Sequence, residues 1–242
     1  ILGLLHDIGH APYGHTGQTT LNHLLQPYGV SFEHNNQARR ILEIIEPIDI
    51  NPIVIEGLKK TAKHDLKTPY NYLESQVMNQ CDRIAYLAAD VEDSINMGFM
   101  HIEDYISCQI FQHCEMTHQA MLDFLVQDLI QESQRQMENA TEIYQFAIIK
   151  HSPQVKQYVD ELKRTMKQKF FDAHPVLLQE RAQNIEIMKT VFHALMNQKI
   201  ALGSRYQQRV QTGKCSLAQS VADYLSGADE KYMNMLYMQS LV

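Results

Sequence analysis

Positive charge, cysteine, glycine and long apolar runs are all scarce in this sequence, and each scarcity excludes something. Lysine and arginine number 21 against 28 acidic residues, a formal charge of −7. That balance argues against nucleic acid as the main partner, because a broad phosphate-binding surface needs clustered Lys and Arg. It leaves room for a local basic pocket that takes one nucleotide. The four cysteines (Cys81, Cys108, Cys114 and Cys215) have neither zinc-motif nor disulfide-framework spacing, which points to reduced thiols and a cytoplasmic protein. No apolar run approaches the length of a membrane span, and no signal peptide is visible. Glycine occurs only ten times, while Leu, Gln, Ala, Met and Glu are abundant, so helices are favoured. Strand alternation, internal repeats and low-complexity linkers do not appear, and the expected fold is all-α.

Against this background one stretch stands out, His6-Asp7-Ile8-Gly9-His10-Ala11-Pro12-Tyr13-Gly14-His15-Thr16-Gly17. It places three histidines and a carboxylate in ten positions, interleaved with glycine and proline. The preceding run Ile1-Leu2-Gly3-Leu4-Leu5 reads as the last turns of a buried helix, which Gly9 and Pro12 break. Neutral imidazole together with carboxylate suits a borderline divalent ion such as Mn, Fe, Co, Ni or Zn. The competing reading is a His-rich turn whose rings are satisfied by backbone carbonyls.

The string resembles the signature of the HD-domain metal-dependent phosphohydrolases, and more narrowly their deoxyguanosine triphosphate triphosphohydrolase-like branch. Three later segments extend the likeness. Phe32-Glu33-His34-Asn35-Asn36-Gln37-Ala38-Arg39-Arg40 is similar to a family segment whose His, Gln and Arg lie at the active site. Glu74-x-Gln76 followed by Asp82-Arg83-Ile84-Ala85-Tyr86 is similar to another, and Asp223-Tyr224-Leu225-Ser226-Gly227 to a closing one. The resemblance implies an HD-domain helical bundle with a C-terminal helical extension. It is a single domain over residues 1–242, with the metal and substrate core in 1–100 and the extension in 101–242. It also implies that the first part of the domain, with a further metal-ligating His, lies upstream of Ile1.

Residue roles follow from the same likeness. His6, Asp7 and Asp82 would hold a divalent metal (Mn, Mg, Fe, Co, Ni or Zn). His15, His10 and His34 would be catalytic, with His15 the first candidate for general acid. Gln18, Gln37, Arg83, Tyr86 and Asp90 would bind substrate, with Arg83 on phosphate and the last two on the deoxyribose. The reaction implied is hydrolysis of a deoxynucleoside triphosphate to deoxynucleoside and triphosphate. A homo-oligomer and a nucleotide effector complete the expectation. The alternatives are another nucleotide as substrate, or a weakened, nucleotide-binding regulatory homologue. Gln18 is the departure behind the second, since the family carries a carboxylate there. An amide can orient the His15 ring but cannot supply charge.

The remaining chain reads as amphipathic helices. They are placed at Thr16–Leu25, from Phe32 onward, at Pro52–His64 with Lys59, Lys60, Lys63 and His64 at its end, and at Leu73–Gly98. Further helices are expected at Met121–Gln136, Thr141–Ile149, Val155–Phe171 and Pro175–Leu202. Asp82, Tyr86 and Asp90 recur every four residues and so share one helix face. Lys163, Arg164, Lys167 and Lys169 make a basic face, either solvated or in contact with triphosphate.

Overall fold

A computed structural model describes residues 1–58, 72–140 and 148–242. Among the described residues there is no strand, and the helices run α1 (Leu2–Leu5), α2 (Gly14–Leu25), α3 (His34–Arg40), α4 (Pro52–Gly57), α5 (Leu73–Asn96) and α6 (Ile102–Tyr105). They continue as α7 (His118–Asn139), α8 (Pro153–Met166), α9 (Pro175–Met196), α10 (Ser204–Gln211), α11 (Leu217–Leu225) and α12 (Glu230–Leu241). The all-α expectation is met. The chain divides into two compact units, one made of Ile1–Lys59 and Gln179–Val242, the other of Lys60–Leu178.

In the first unit, α2 buries Gly17, Thr20, Leu21 and Leu25, the three- and four-residue spacing of one helix face. That face packs with Met188, Val191, Phe192 and Leu195 of α9, Val221, Ala222 and Leu225 of α11, and Met233 and Leu236 of α12. Each fully buried side chain of this size stabilises the unit by about 1.5–3 kcal/mol. After α2 the chain turns through Pro27 and Gly29, the latter at φ +67. The amide of Phe32 donates to Asn22 Oδ1 at 2.8 Å, fixing the approach to α3. Helix α3 then widens into a π turn over Ile41–Ile45, which keeps both Leu42 and Ile45 buried.

The second unit is built on α5, whose Ile84, Leu87, Ala88 and Val91 are buried with Tyr105, Ile110, Met121, Leu125, Leu162 and Met166. Ser94 and Tyr105 hydroxyls share a buried hydrogen bond of 2.6 Å. The periodic reading of α5, α7 and α8 holds to within a few residues.

Three element readings are corrected. Leu2–Leu5 is helical but has no buried residue, and Leu4 is 82% exposed. Leu2, Leu5 and Ile8, together with Ile50, pack against the small cluster of Leu42, Ile55 and Leu58. Helix α9 stops at Met196 rather than Leu202, because Gln198 takes φ +56 and the amides of Lys199 and Ile200 turn back to Ala194. Ile148 and Ile149 are not helical, since both amides donate to Gln76 Oε1, at 2.8 and 3.1 Å. The rest of that expected helix (141–147), and the part of the Pro52–His64 helix that carries the lysines and His64, lie outside the described residues.

Candidate metal and histidine site

The His-rich turn owes its path to two glycines. A Cβ on Gly9 would stand 2.2 Å from the carbonyl oxygen of His34 and 2.3 Å from the amide nitrogen of Ala38, so only glycine lets the turn lie against the backbone of α3. A Cβ on Gly17 would stand 1.7 Å from the carbonyl oxygen of Pro12, so the first turn of α2 closes back on the same loop. Tyr13 and Gly14 between them adopt φ +66 and +56, which reverses the chain into α2.

That path gathers the side chains. His6 Nδ1 lies 3.0 Å from the Gly3 carbonyl, which fixes the ring and presents Nε2, 3.0 Å from Asp7 Oδ2. The other carboxylate oxygen, Asp7 Oδ1, is 3.8 Å from His10 Nε2. The rings of His10 and His34 stack with centroids 4.3 Å apart and 15° between planes. His15 stands edge-on to both, at 5.9 and 6.2 Å. Asp7, His10 and His34 each offer a ligand atom within 4.8 Å of the others.

This donor set fits a divalent ion. Two donors bound at about 2.1 Å to one ion lie about 3 Å apart, the separation shown by His6 Nε2 and Asp7 Oδ2. The backbone carbonyl on His6 Nδ1 is the kind of outer contact that orients a ligating imidazole.

Gln18 differs from the sequence reading. Its Oε1 accepts from the His34 amide at 3.0 Å and lies 2.6 Å from His34 Nδ1. The partner is therefore His34, whereas the reading had paired it with His15. A carboxamide oxygen can only accept, so Nδ1 carries the proton and in the neutral ring Nε2 holds the lone pair. Sequence proximity favoured His15, three residues away on α2. The placement of α3 alongside decides for His34.

Gln37 and Arg40 also bond elsewhere. Gln37 Nε2 donates to Asp223 Oδ1 at 3.2 Å and to Ser226 Oγ at 3.0 Å. Arg40 grips both oxygens of Asp223, at 2.6 and 2.8 Å, and Gln219 adds a third donor at 3.0 Å. The bond to Asp223 raises the Arg40 guanidinium above its ordinary range, against the opposing effect of burial. These residues bind α3 to α11 and so hold His34 in place. Asp223 is the residue that sequence reasoning left without a role, although it heads the closing segment that drew notice.

Residues 149–239 match the phosphohydrolase-associated domain. A deoxyguanosinetriphosphate triphosphohydrolase-like protein 1 of Deinococcus radiodurans is 24% identical over 96% of this chain and 70% of its own length. Similarly named proteins of Leptospira interrogans (26% identical, 99% of this chain, 73% of the relative) and Syntrophus aciditrophicus (28%, 96% and 70%) also align. The chain is similar to these triphosphohydrolase-like proteins over most of its length. Their names describe phosphohydrolases, and the matched domain spans the helices that carry Asp223.

In the second unit α5 carries Asp82, Arg83, Tyr86 and Asp90. Tyr86 is 59% exposed. Burial and the neighbouring Asp93 push the Asp90 carboxyl up, while Lys163 pulls it down. Among the described residues no helix is long and apolar enough to cross a membrane. Cys81, Cys108, Cys114 and Cys215 are all unbridged.

Proposed function

We propose that this protein hydrolyses deoxynucleoside triphosphates to deoxynucleoside and intact triphosphate, with a divalent metal as cofactor. The observation that carries the reading is the gathering of Asp7, His10 and His34 beside His6 and His15 within one unit. The names of the aligned relatives support the substrate class.

His6 and Asp7 would hold the ion, and the resemblance adds Asp82. Once bound, such an ion activates water and polarises a phosphoryl oxygen. His15, the exposed member of the imidazole group, delivers a proton to the leaving 5′-oxygen as the bond to the α-phosphorus breaks. His34, with its tautomer set by Gln18, presents Nε2 toward accepted protons or donors on the substrate. His10, beside Asp7 Oδ1, orients phosphoryl oxygens. Arg83 contacts phosphate, and Tyr86 with Asp90 reads the deoxyribose. Gln18 favours a second reading, a slow enzyme retained for nucleotide binding, with a nucleotide effector and self-association as its regulatory setting.

One assay decides between them. The protein is incubated with Mn²⁺ and each of the four deoxynucleoside triphosphates, and products are resolved by chromatography. Deoxynucleoside with triphosphate supports cleavage of the bond between the α-phosphorus and the 5′-oxygen. Monophosphate with pyrophosphate, from loss of pyrophosphate instead of the 5′-oxygen, excludes that cleavage, and binding without turnover favours the regulatory reading.

A further inference from the structure

The first unit carries a small cleft that the metal and histidine site does not use. It has a volume of about 330 Å³ and lies between α10 and the π turn that ends α3. That is the lower end of the ~300–1,000 Å³ range of small-molecule sites. Ile44, Ile45 and Pro47 form an apolar side, and Arg205, Arg209 and Lys214 bring positive charge. Among the described residues no acid lines the cleft, in a protein whose formal charge is −7.

Two of the cations already serve the fold. Arg205 donates to the Ile45 carbonyl and pairs with Glu46, and Arg209 Nη1 donates to the Ile44 carbonyl at 3.2 Å. These bonds cap open carbonyls at the end of the π turn, where positive charge is favourable. Capping leaves charge unused. Arg209 Nε is buried with no acceptor, so among the described residues its guanidinium shows one bond for five donors. Lys214 follows Gly213, at φ +69, and its side chain shows no hydrogen bond or ion pair among the described residues. Arg205 and Arg209 stand four residues apart on one face of α10. Both partners of the Arg205–Glu46 pair are exposed, so a competing anion displaces Glu46 at little cost.

We propose that this cleft binds a small phosphate monoester, with the dianion on Arg209 and Lys214 and the organic group against Ile44, Ile45 and Pro47. Two charges on the phosphate balance the two side chains that the fold leaves least compensated. Arg205 lies in reach, and the Gln208 amide adds a neutral donor. The apolar side selects an ester over free orthophosphate. The volume, and a described lining without an aromatic ring, exclude a nucleotide as the fitted ligand. The assignment goes beyond the hydrolase reading, because binding here needs neither the metal nor the histidines. Since the π turn continues the helix that carries His34, an occupant also braces the end of that helix.

The test is calorimetric titration of the full chain, in excess chelator, with phenyl phosphate, orthophosphate and phenol in turn. Phenyl phosphate should bind most tightly, orthophosphate more weakly, and phenol without saturation. Losing a charged contact should weaken phenyl phosphate about tenfold, so Lys214→Gln should show that loss. Its side chain has no bond to give up, so the circular dichroism of the variant should match the parent. Lys214→Arg should keep most of the affinity. Lys231→Gln, on α12 and outside the cleft, should bind like the parent. The proposal is overturned by a parent that shows no saturable binding at millimolar ligand, or by orthophosphate or phenol binding as well as the ester. It is equally overturned if Lys214→Gln binds at full strength, or if Lys231→Gln weakens binding as much as Lys214→Gln. A chain that cleaves no nucleotide yet binds phenyl phosphate through Lys214 would count against the hydrolase reading alone.

Discussion

Gln18 accepts two bonds from one residue, the backbone amide and the ring of His34. Replacing its amide by a carboxylate keeps both bonds and adds a negative charge against Nδ1. That charge stabilises the protonated ring. With His34 accepting through neutral Nε2, Gln18→Glu should therefore move the acidic limb of the pH–rate profile to higher pH and lower turnover near neutrality, with metal content unchanged. A profile that stays where it was would remove His34 from the rate-determining proton transfer. Gly9 poses a steric test in the same neighbourhood. In Gly9→Ala the new methyl meets backbone atoms of α3 at 2.2 and 2.3 Å, which no side-chain rotation relieves. A loss of about 3 kcal/mol or more in urea unfolding is expected, with reduced divalent metal content. A variant as stable as the parent would show that the turn and α3 can separate freely.

At the level of elements, the contact between α3 and α11 depends on one buried carboxylate. Asp223 has a fully buried side chain and accepts from Arg40, Gln37 and Gln219. Asp223→Ala leaves the Arg40 guanidinium, 21% exposed, with nothing to offset its desolvation. Removing one member of such a pair costs about 3–5 kcal/mol, and urea titration followed by circular dichroism should read it. Hydrolysis should fall as well, because α3 carries His34. This is also where reading the sequence reached its limit. Helix α5 was legible because Ile84, Leu87 and Val91 repeat at the helical period, and the candidate metal-binding pair because His6 and Asp7 are adjacent in a distinctive string. The partner of Arg40 was not, since it lies 183 residues along the chain. The choice of His34 by Gln18 was hidden for the same reason, and so was the exposure of Leu4. Periodicity reports what a helix can bury, and packing decides what it does bury.

Across the whole molecule the two units have separate cores and should answer differently to acid. In the second, His151 pairs with Asp128, yet burial holds its imidazole below the ordinary histidine value of 6.5. The unfolded chain then takes up a proton that the folded unit resists. Stability is unaffected above about pH 6.5 and falls as pH drops below it toward the lowered folded value. Urea titrations at pH 7.5 and 5.5, followed through amide exchange at Ile148 and Ile149, should show this loss, and His151→Gln should flatten it. A parent without a pH-dependent difference would contradict the burial argument.

The first unit is assembled from both ends of the chain, Ile1–Lys59 and Gln179–Val242, whereas the second is one uninterrupted stretch. This has a consequence in time. At about 5–20 residues per second of synthesis, the 183 residues from Arg40 to Asp223 take on the order of 10–40 s to make. Throughout that interval the histidine turn and α3 are outside the ribosome without the carboxylate that ties them down. The second unit, complete at Leu178, can collapse around Ile84 and Leu125 while the first still waits for α11. Nascent chains stalled after Leu178 should thus resist protease across α5–α8 and be cut between Ile1 and Ile45. Only chains stalled far enough beyond Val242 for α11 to emerge should protect both. The candidate metal site then forms only after α11 has been made, although its histidine turn is translated long before.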